Sequence, residues 1–590
     1  MKKLTMTLML ISVSLFAQSY LEIEFEQSEY YFNRQLLNPF GMKKFYDIIP
    51  GFVDNIFTNI HLNPVKITEL RENYLFYADL RGAREEPQQG YVYPQIHIYT
   101  IPNVIIPPIY FIPQITEPEP RYSIGFITKL DDYVSDRFFI GGTFQRITKD
   151  DMMSSPPFYP FPIPLDPNFQ IQLNQFTESS ERDFLGKNEL KFRGNIYSLF
   201  AGYKFDERFS MGFSFNGINY NQDGIIDEKS YYEYLTESYR MDKDIKKNSD
   251  YDHQDYTFGL NYSLNAKANI GIKTGLLKGR VLQSSTSINL YLNKINIPDV
   301  SSEWRYDYNL YNFKKDFNKD GKIYYSGFDF NLQLNEKFNF FGYFNFATGK
   351  IDFNGKFNQF DSSYYYFKYF VQPNAYWSKS LNERKNLVDR SGKGVEEKTD
   401  YAGLLGVKVK ILPSFNISLG ISYTEKHQEK SLTEPTKIYQ LEKYRYETTN
   451  PGFSNVNRYD VYSEESENEI MQTTKDYLYQ IPVMFDFKLA EIGELILILN
   501  QRTGGGKVEE TLINRIKERI RTINDSTIHE NNIVYKYTTS SVKQYIDEAE
   551  AIAGIKIFIS RKINLNLLID PELSHQPRIA QWWLSLEGRF

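Results

Sequence analysis

Along much of the chain, apolar and polar residues alternate with a period of two. FSMGFSFNG (209–217) places Phe209, Met211, Phe213 and Phe215 on one face and Ser210, Gly212, Ser214 and Asn216 on the other. FNISLGISY (415–423) opposes Phe415, Ile417, Leu419, Ile421 and Tyr423 to Asn416, Ser418, Gly420 and Ser422, and FDFNLQL (328–334) repeats the pattern. Alternation of this kind predicts strands with one apolar and one polar face. The candidates group into hairpins with tight turns: 121–130 with 137–147, 190–205 with 209–218, 253–264 with 268–278, 324–334 with 338–349, 401–411 with 415–424, 478–489 with 494–502, and 552–559 with 563–569. Between hairpins lie long polar stretches such as 219–252, 350–400 and 425–477.

Short connections at one end and long ones at the other are the pattern of a transmembrane β-barrel, whose periplasmic turns are tight and whose external loops are long. A first strand near Tyr74–Leu80 and a last at 580–590 bring the expected total to about sixteen, within a range of about 14–18. Residues 269–292 are read as one long strand, because two would break the up-and-down parity. The predicted class is therefore all-β, an antiparallel transmembrane barrel. Lys408, Lys410, Asp486 and Lys488 fall on the polar faces. A lipid-facing lysine at mid-bilayer costs about 2–4 kcal/mol, so these residues are expected to face the lumen.

Composition agrees. The 590 residues include 47 Tyr and 45 Phe, with 41% hydrophobic residues overall, yet mean hydropathy is −0.49. No internal apolar run is long enough for a spanning helix. Tyrosines near strand ends suit the membrane–water interface. Cys is absent, which removes disulfides and thiolate metal sites. A net charge of −6 with dispersed Lys and Arg argues against nucleic acid as a partner.

MKKLTMTLMLISVSLFAQS at the start has two lysines and an apolar stretch from Leu4 to Phe16, as a secretory signal does, with cleavage expected after Ala17. Residues 1–17 are thus assigned to a signal peptide, 18–72 to a plug or periplasmic segment, and 73–590 to the barrel. Localisation in the outer membrane of a Gram-negative-type bacterium follows, with the lipid of that membrane as surroundings. The ending WWLSLEGRF (582–590) reads as the closing strand, with Trp582, Leu584, Leu586, Gly588 and Phe590 outward. A terminal aromatic resembles the signal read by the barrel assembly machinery, which makes Phe590 its expected contact.

Two Asp-Gly segments have the spacing of calcium loops. Asp316, Asn318 and Asp320 precede Gly321, and Asn219, Asn221 and Asp223 precede Gly224. Oxygens at positions one, three and five converge on a hard cation in such loops. The closing Glu is missing from both, with Gly327 and Ser230 in its place, and Asp-Gly is also simply a good turn. Calcium in external loops is the one cofactor expectation. The six histidines are scattered, and His253 between Asp252 and Asp255 is the single arrangement of note. No catalytic constellation is found, and an enzyme is not expected. GGG at 504–506 lacks the Ser or Thr that follows the lysine of a phosphate loop. VEETLINRIKERIRTI (508–523) fits either a helix or an external hairpin.

IPNVIIPPIYFIPQ (101–114) and PPFYPFPIPLDP (156–167) are Pro-rich and apolar, and topology places both externally. Proline prevents ladder formation and leaves apolar surface. That surface serves as a receiving face for lipid-like ligands, as a lid packed on itself, or as a site for a protein partner.

Asn63-Pro64, followed by Val65 and then Leu70 shortly before the Tyr74 strand, together with the signal segment and the long barrel, resembles the long-chain fatty-acid and toluene transporter (FadL-type) family. That family typically has Ala where Val65 stands and uses fourteen strands. The resemblance implies passive uptake of small hydrophobic molecules through a plugged barrel. A general porin, a non-transporting surface or secretion scaffold, and an adhesin are the alternatives.

Overall fold

The computed structural model describes residues 56–83, 91–92, 96–97, 105–106, 110–111, 120–130, 137–151, 185–234, 237–297, 303–371, 376–572 and 578–590. Sixteen antiparallel strands close into a barrel. They are β1 (Tyr74–Ala83), β2 (Pro120–Lys129), β3 (Phe138–Asp151), β4 (Leu185–Lys204), β5 (Phe209–Tyr234), β6 (Glu237–Asn265), β7 (Ala268–Ile297) and β8 (Glu303–Gln333), followed by β9 (Phe338–Val371), β10 (Tyr376–Leu412), β11 (Phe415–Thr448), β12 (Val456–Leu489), β13 (Gly493–Ile523), β14 (Ser526–Phe558), β15 (Ile563–Glu572) and β16 (Arg578–Arg589). All seven expected hairpins form, and residues 269–292 belong to the single strand β7.

The closing seam joins β1 to β16 from Leu75↔Arg589 to Ala83↔Gln581. Tyr74 and Phe590 exchange both backbone hydrogen bonds at 2.9 Å. An open edge in lipid would strand backbone donors and acceptors without partners, so these bonds complete the wall. The tight turns are held by side chains: Asp206 Oδ1 accepts from the backbone of Arg208 and Phe209 at 2.7 Å, and Asn335 does the same for Lys337 and Phe338. These are the local bonds for which Asp and Asn are favoured in turns.

Outward apolar residues form a belt next to the turns. Phe415 to Tyr423 on β11 and Tyr479 to Phe487 on β12 supply it, with Leu419 and Ile421 exposed. Aromatic pairs edge it on both sides: Phe415–Phe487 at 4.4 Å near the turns, and Tyr423–Tyr479 at 4.8 Å and Phe346–Tyr401 at 5.3 Å at the outer rim. Across this belt Lys408 lies on the inward side with buried Leu404, and buried Asp486 accepts from Asn416 Nδ2 at 3.1 Å.

Above the belt the structure departs from expectation. The stretches 219–252, 350–400 and 425–477, expected as loops, are continuous strand. Strand β10 runs for 37 residues, whereas crossing a bilayer takes about 9–11. Residues 508–523 are strand as well, and the β13–β14 hairpin closes at Ile523↔Ser526, with Asn524 at φ 51°. Both faces of this upper region are largely polar, so the alternation that marks a membrane strand is lost there while the ladder continues. Charged pairs cross its outer surface, among them Lys517–Glu467 at 3.2 Å and Arg515–Glu469 at 3.1 Å.

Strand lengths change abruptly at one place. β14 has 33 residues and its neighbour β15 has 10. Their ladder covers only Ala553–Phe558, so among the described residues the β15-side edge of β14 is unpaired from Ser526 to Ile552.

Candidate functional site in the barrel lumen

Residues 56–72 are the described part of the expected plug, and they lie inside the barrel. Helix α1 (Ile56–Leu62) runs into a 3-10 helix, η1 (Pro64–Glu69), through Asn63. The sequence dictates this corner. Pro64 has no N–H to continue α1 but suits the first position of the next helix. Asn63 caps that helix from an extended backbone (φ −152°, ψ 117°), its Oδ1 accepting from Val65 N at 3.3 Å.

Asn63 is fully buried, and its Nδ2 donates to Asp329 Oδ1 on β8 at 2.9 Å. Lys66 Nζ lies 3.5 Å from Asp329 Oδ2 and 3.0 Å from Glu69 Oε1. Lys273 of β7 donates from Nζ to the carbonyl of Leu62, the last residue of α1, at 2.6 Å. A cation at a helix C-terminus meets otherwise orphaned carbonyls. The corner is thus held by one carboxylate and one ammonium from adjacent wall strands.

The wall makes room for it with glycine. Gly202 (β4), Gly212 (β5), Gly259 (β6) and Gly271 (β7) all face inward. A Cβ at Gly202 would lie 2.3 Å from Ile67 Cγ2, and one at Gly212 would lie 2.4 Å from Val65 N. At Gly259 it would meet Asn63 Oδ1 at 2.0 Å, and at Gly271 Asp329 Oδ1 at 2.3 Å. In strand interiors glycine marks a site where another backbone approaches closely. Four adjacent strands each supply one, and together they form the bed of the plug.

Apolar contacts extend to both sides. Ile60, Ile67 and Leu70 pack with Leu75, Tyr77, Ile127, Phe139 and Phe200 of β1–β4. Leu62 packs against a second cluster of Tyr343, Leu404, Met484, Ile498 and Ile552 from β9–β14. The segment therefore bridges the lumen from one wall to the other. Alongside the bed, Tyr325 Oη donates to Asp255 Oδ1 at 2.5 Å, and Asn216 Nδ2 donates to Asp255 Oδ2 at 3.2 Å.

The calcium candidates lie elsewhere. Asp316, Asn318 and Asp320 are in the middle of β8, and Asn219, Asn221 and Asp223 are in β5, not in loop tips. The expected turn at Asp320-Gly321 is absent because Asp320 pairs with Asp352 and Gly321 with Ile351 in the β8–β9 ladder. In a strand, same-face oxygens at alternate positions stand about 6.6–6.8 Å apart and do not converge. Asp316 pairs instead with Lys314 at 3.2 Å, Asn221 donates to Asp250 at 2.6 Å, and Asp223 accepts from Asn248 at 2.8 Å. Among the described residues no group of three His, Asp or Glu is arranged to hold a metal ion. His253 and Asp255 are buried inward, while Asp252 is exposed on the other face, so the three do not form one cluster.

The Pro-rich segment 156–167 lies outside the described residues. Of 101–114, only Ile105–Ile106 and Tyr110–Phe111 are described, in short ladders with Ile96–His97 and Tyr91–Val92. Sequence reasoning found Asn63-Pro64 but missed the glycine bed. Its signal was present as a glycine on the inward face of each of four consecutive strands.

No protein-family model matches the chain, and no curated protein does. Solved structures do match. The CymD monoaromatic hydrocarbon channel is 8% identical, with 90% of this chain and 92% of that chain covered and a TM-score of 0.29. A Pseudomonas aeruginosa FadL homologue is 10% identical, covering 92% of this chain and 96% of its own, with a TM-score of 0.26. The siderophore receptor PirA from Acinetobacter baumannii is 8% identical, with coverages of 88% and 81% and a TM-score of 0.25. No residue correspondence follows from similarity at this level.

Proposed function

We propose that this barrel passively transports small hydrophobic molecules across the outer membrane, with the segment around Asn63 as its gate. The observation that carries the reading is the apolar bridge. At the level of the plug, Leu62, Ile60 and Ile67 close the lumen on clusters of aliphatic and aromatic wall residues. A water-filled porin keeps a polar lumen. Here a hydrophobic ligand leaving the plug level would meet side chains of its own character. Phe590 serves in this reading as both the seam residue and the contact for barrel assembly.

Uptake of a radiolabelled fatty acid or aromatic hydrocarbon tests the proposal. Cells lacking the gene are expected to lose most saturable uptake and regain it on complementation. Proteoliposomes are expected not to swell in sugars. Sugar-driven swelling at porin rates, or unchanged uptake in the deletion strain, would overturn the reading.

A scaffold role is the second reading, and the unpaired edge of β14 favours it. An edge that displays unpaired N–H and C=O groups can accept an added strand. Ile528, Val534 and Val542 are exposed along it. A stoichiometric polypeptide that protects β14 amides from hydrogen exchange would support this role, and β14 amides that exchange freely in the native membrane would exclude it.

A further inference from the structure

Above the apolar belt, the outer surface of β7–β9 carries three lysines in one row. Lys278 pairs with Lys322, and Lys322 pairs in turn with Lys350. All three side chains are exposed. Like charges directly opposite on neighbouring strands destabilise a sheet, because their Cβ atoms stand only about 4.5–5.5 Å apart. Only the Lys350 end of the row has a carboxylate directly opposite it; the others are displaced. Asp320 and Asp352 lie one outward position higher on their strands, and Glu397 faces Lys350 from β10. Among the described residues, none of the three lysines takes part in an ion pair, whereas Lys246 and Lys314, eight residues higher on β6 and β8, do, with Asp244 and Asp316.

The height of the row identifies what would offset it. Outward positions on the turn side of the row are Tyr256, Leu276 and Tyr324, and Tyr324 is 57% exposed. Lys278 Nζ stands 6.0 Å from the Tyr256 ring centroid. Lys278 lies ten residues along β7 from Ala268, next to the tight turn. For tilted strands this is about the 25 Å height of the lipid-facing band. The ammonium groups therefore stand at the level of the external headgroups, with the rings beneath them among acyl chains. We propose that Lys278, Lys322 and Lys350 form a binding site for the phosphate groups of a phosphorylated outer-leaflet lipid. A free phosphate would gain the charge contacts alone, whereas a lipid also places its chains on the belt directly below.

The test uses the full-length protein in detergent micelles and a diphosphorylated lipid A, with retained lipid counted by native mass spectrometry. Replacing the row by K278Q/K322Q/K350Q is expected to weaken binding about 100-fold, at about fivefold per lysine. The control K437Q/K443Q/K517Q removes three lysines held in ion pairs higher on the wall and is expected to leave binding unchanged. Lipid A stripped of its phosphates is expected to bind the native protein as weakly as the phosphorylated form binds the triple variant. The proposal is overturned if the control loses as much affinity as the row variant, if dephosphorylated lipid binds equally well, or if millimolar inorganic phosphate displaces the lipid completely. Should the triple variant not fold, K322Q alone decides, with a fivefold loss expected and no loss overturning the site.

Discussion

Gly212→Val is expected to release the plug and turn a closed barrel into an open one. A Cβ at this position would lie 2.4 Å from Val65 N and 2.5 Å from Pro64 C, both backbone atoms. A side chain can rotate away from such a contact, but a helix backbone seated between two walls must move as a unit. Moving it separates Asn63 from Asp329 and the carbonyl of Leu62 from Lys273. Valine itself suits a strand, so the barrel is expected to assemble. Single-channel conductance in planar bilayers is expected to rise by about tenfold or more, as a lumen of this strand number without its plug is wide enough for an aqueous channel. Cells should become sensitive to large antibiotics normally excluded. Gly259→Ala makes a useful contrast, because its Cβ would meet the Asn63 side chain instead of backbone. Its effect should be milder and reversed by adding Asn63→Gly. Unchanged conductance in Gly212→Val would show that something other than this segment closes the lumen.

The belt was legible because lipid imposes it. Wherever one face of a strand meets hydrocarbon and the other does not, alternation is compulsory, and FNISLGISY shows it residue by residue. Above Tyr423 the outward positions become Glu425, His427 and Glu429. With water outside and polar side chains inside, nothing forces a period of two, and a strand there reads as loop. The same loss made DFNKDGKI resemble a calcium loop, although its Asp-Gly sits in a ladder bonded on both sides. The plug corner was half legible. Asn63-Pro64 announces a break between two helices from local chemistry, but Asp329 and the four glycines meet it only through tertiary closure. A glycine on the polar face of a strand looks the same in sequence whether it faces water or another backbone.

Glu396→Gln is expected to weaken the upper barrel by about 3–5 kcal/mol near pH 6, the usual cost of breaking a buried ion pair from one side. Glu396 and Lys319 are both fully buried, with Oε2 and Nζ 2.7 Å apart, and Lys398 reaches the same carboxylate at 2.9 Å. Burial alone would raise the carboxyl, but Lys398, Lys319 and Lys430 outweigh it and hold Glu396 down at about 2. Burial pushes Lys319 down to about 8 against the pull of Glu396. The signs then follow by linkage. Glu396 contributes stability that is complete above its ordinary value of 4.5 and is lost as pH falls toward about 2. Lys319 sheds its proton in the folded state before the unfolded chain does, so its cluster gains stability as pH rises from about 8 to 10.5. Native protein should therefore show an acid loss below pH 4.5 in urea midpoints followed by tyrosine fluorescence. In Glu396→Gln this cluster's share of the acid loss disappears, and the deficit at pH 6 should shrink above pH 9 as Lys319 becomes neutral. Adding Lys319→Met should recover much of the loss at pH 6, because an apolar pair of similar volume needs no counter-charge. A deficit that is constant from pH 5 to 10 would mean that Glu396 stabilises the wall through packing and not through its charge.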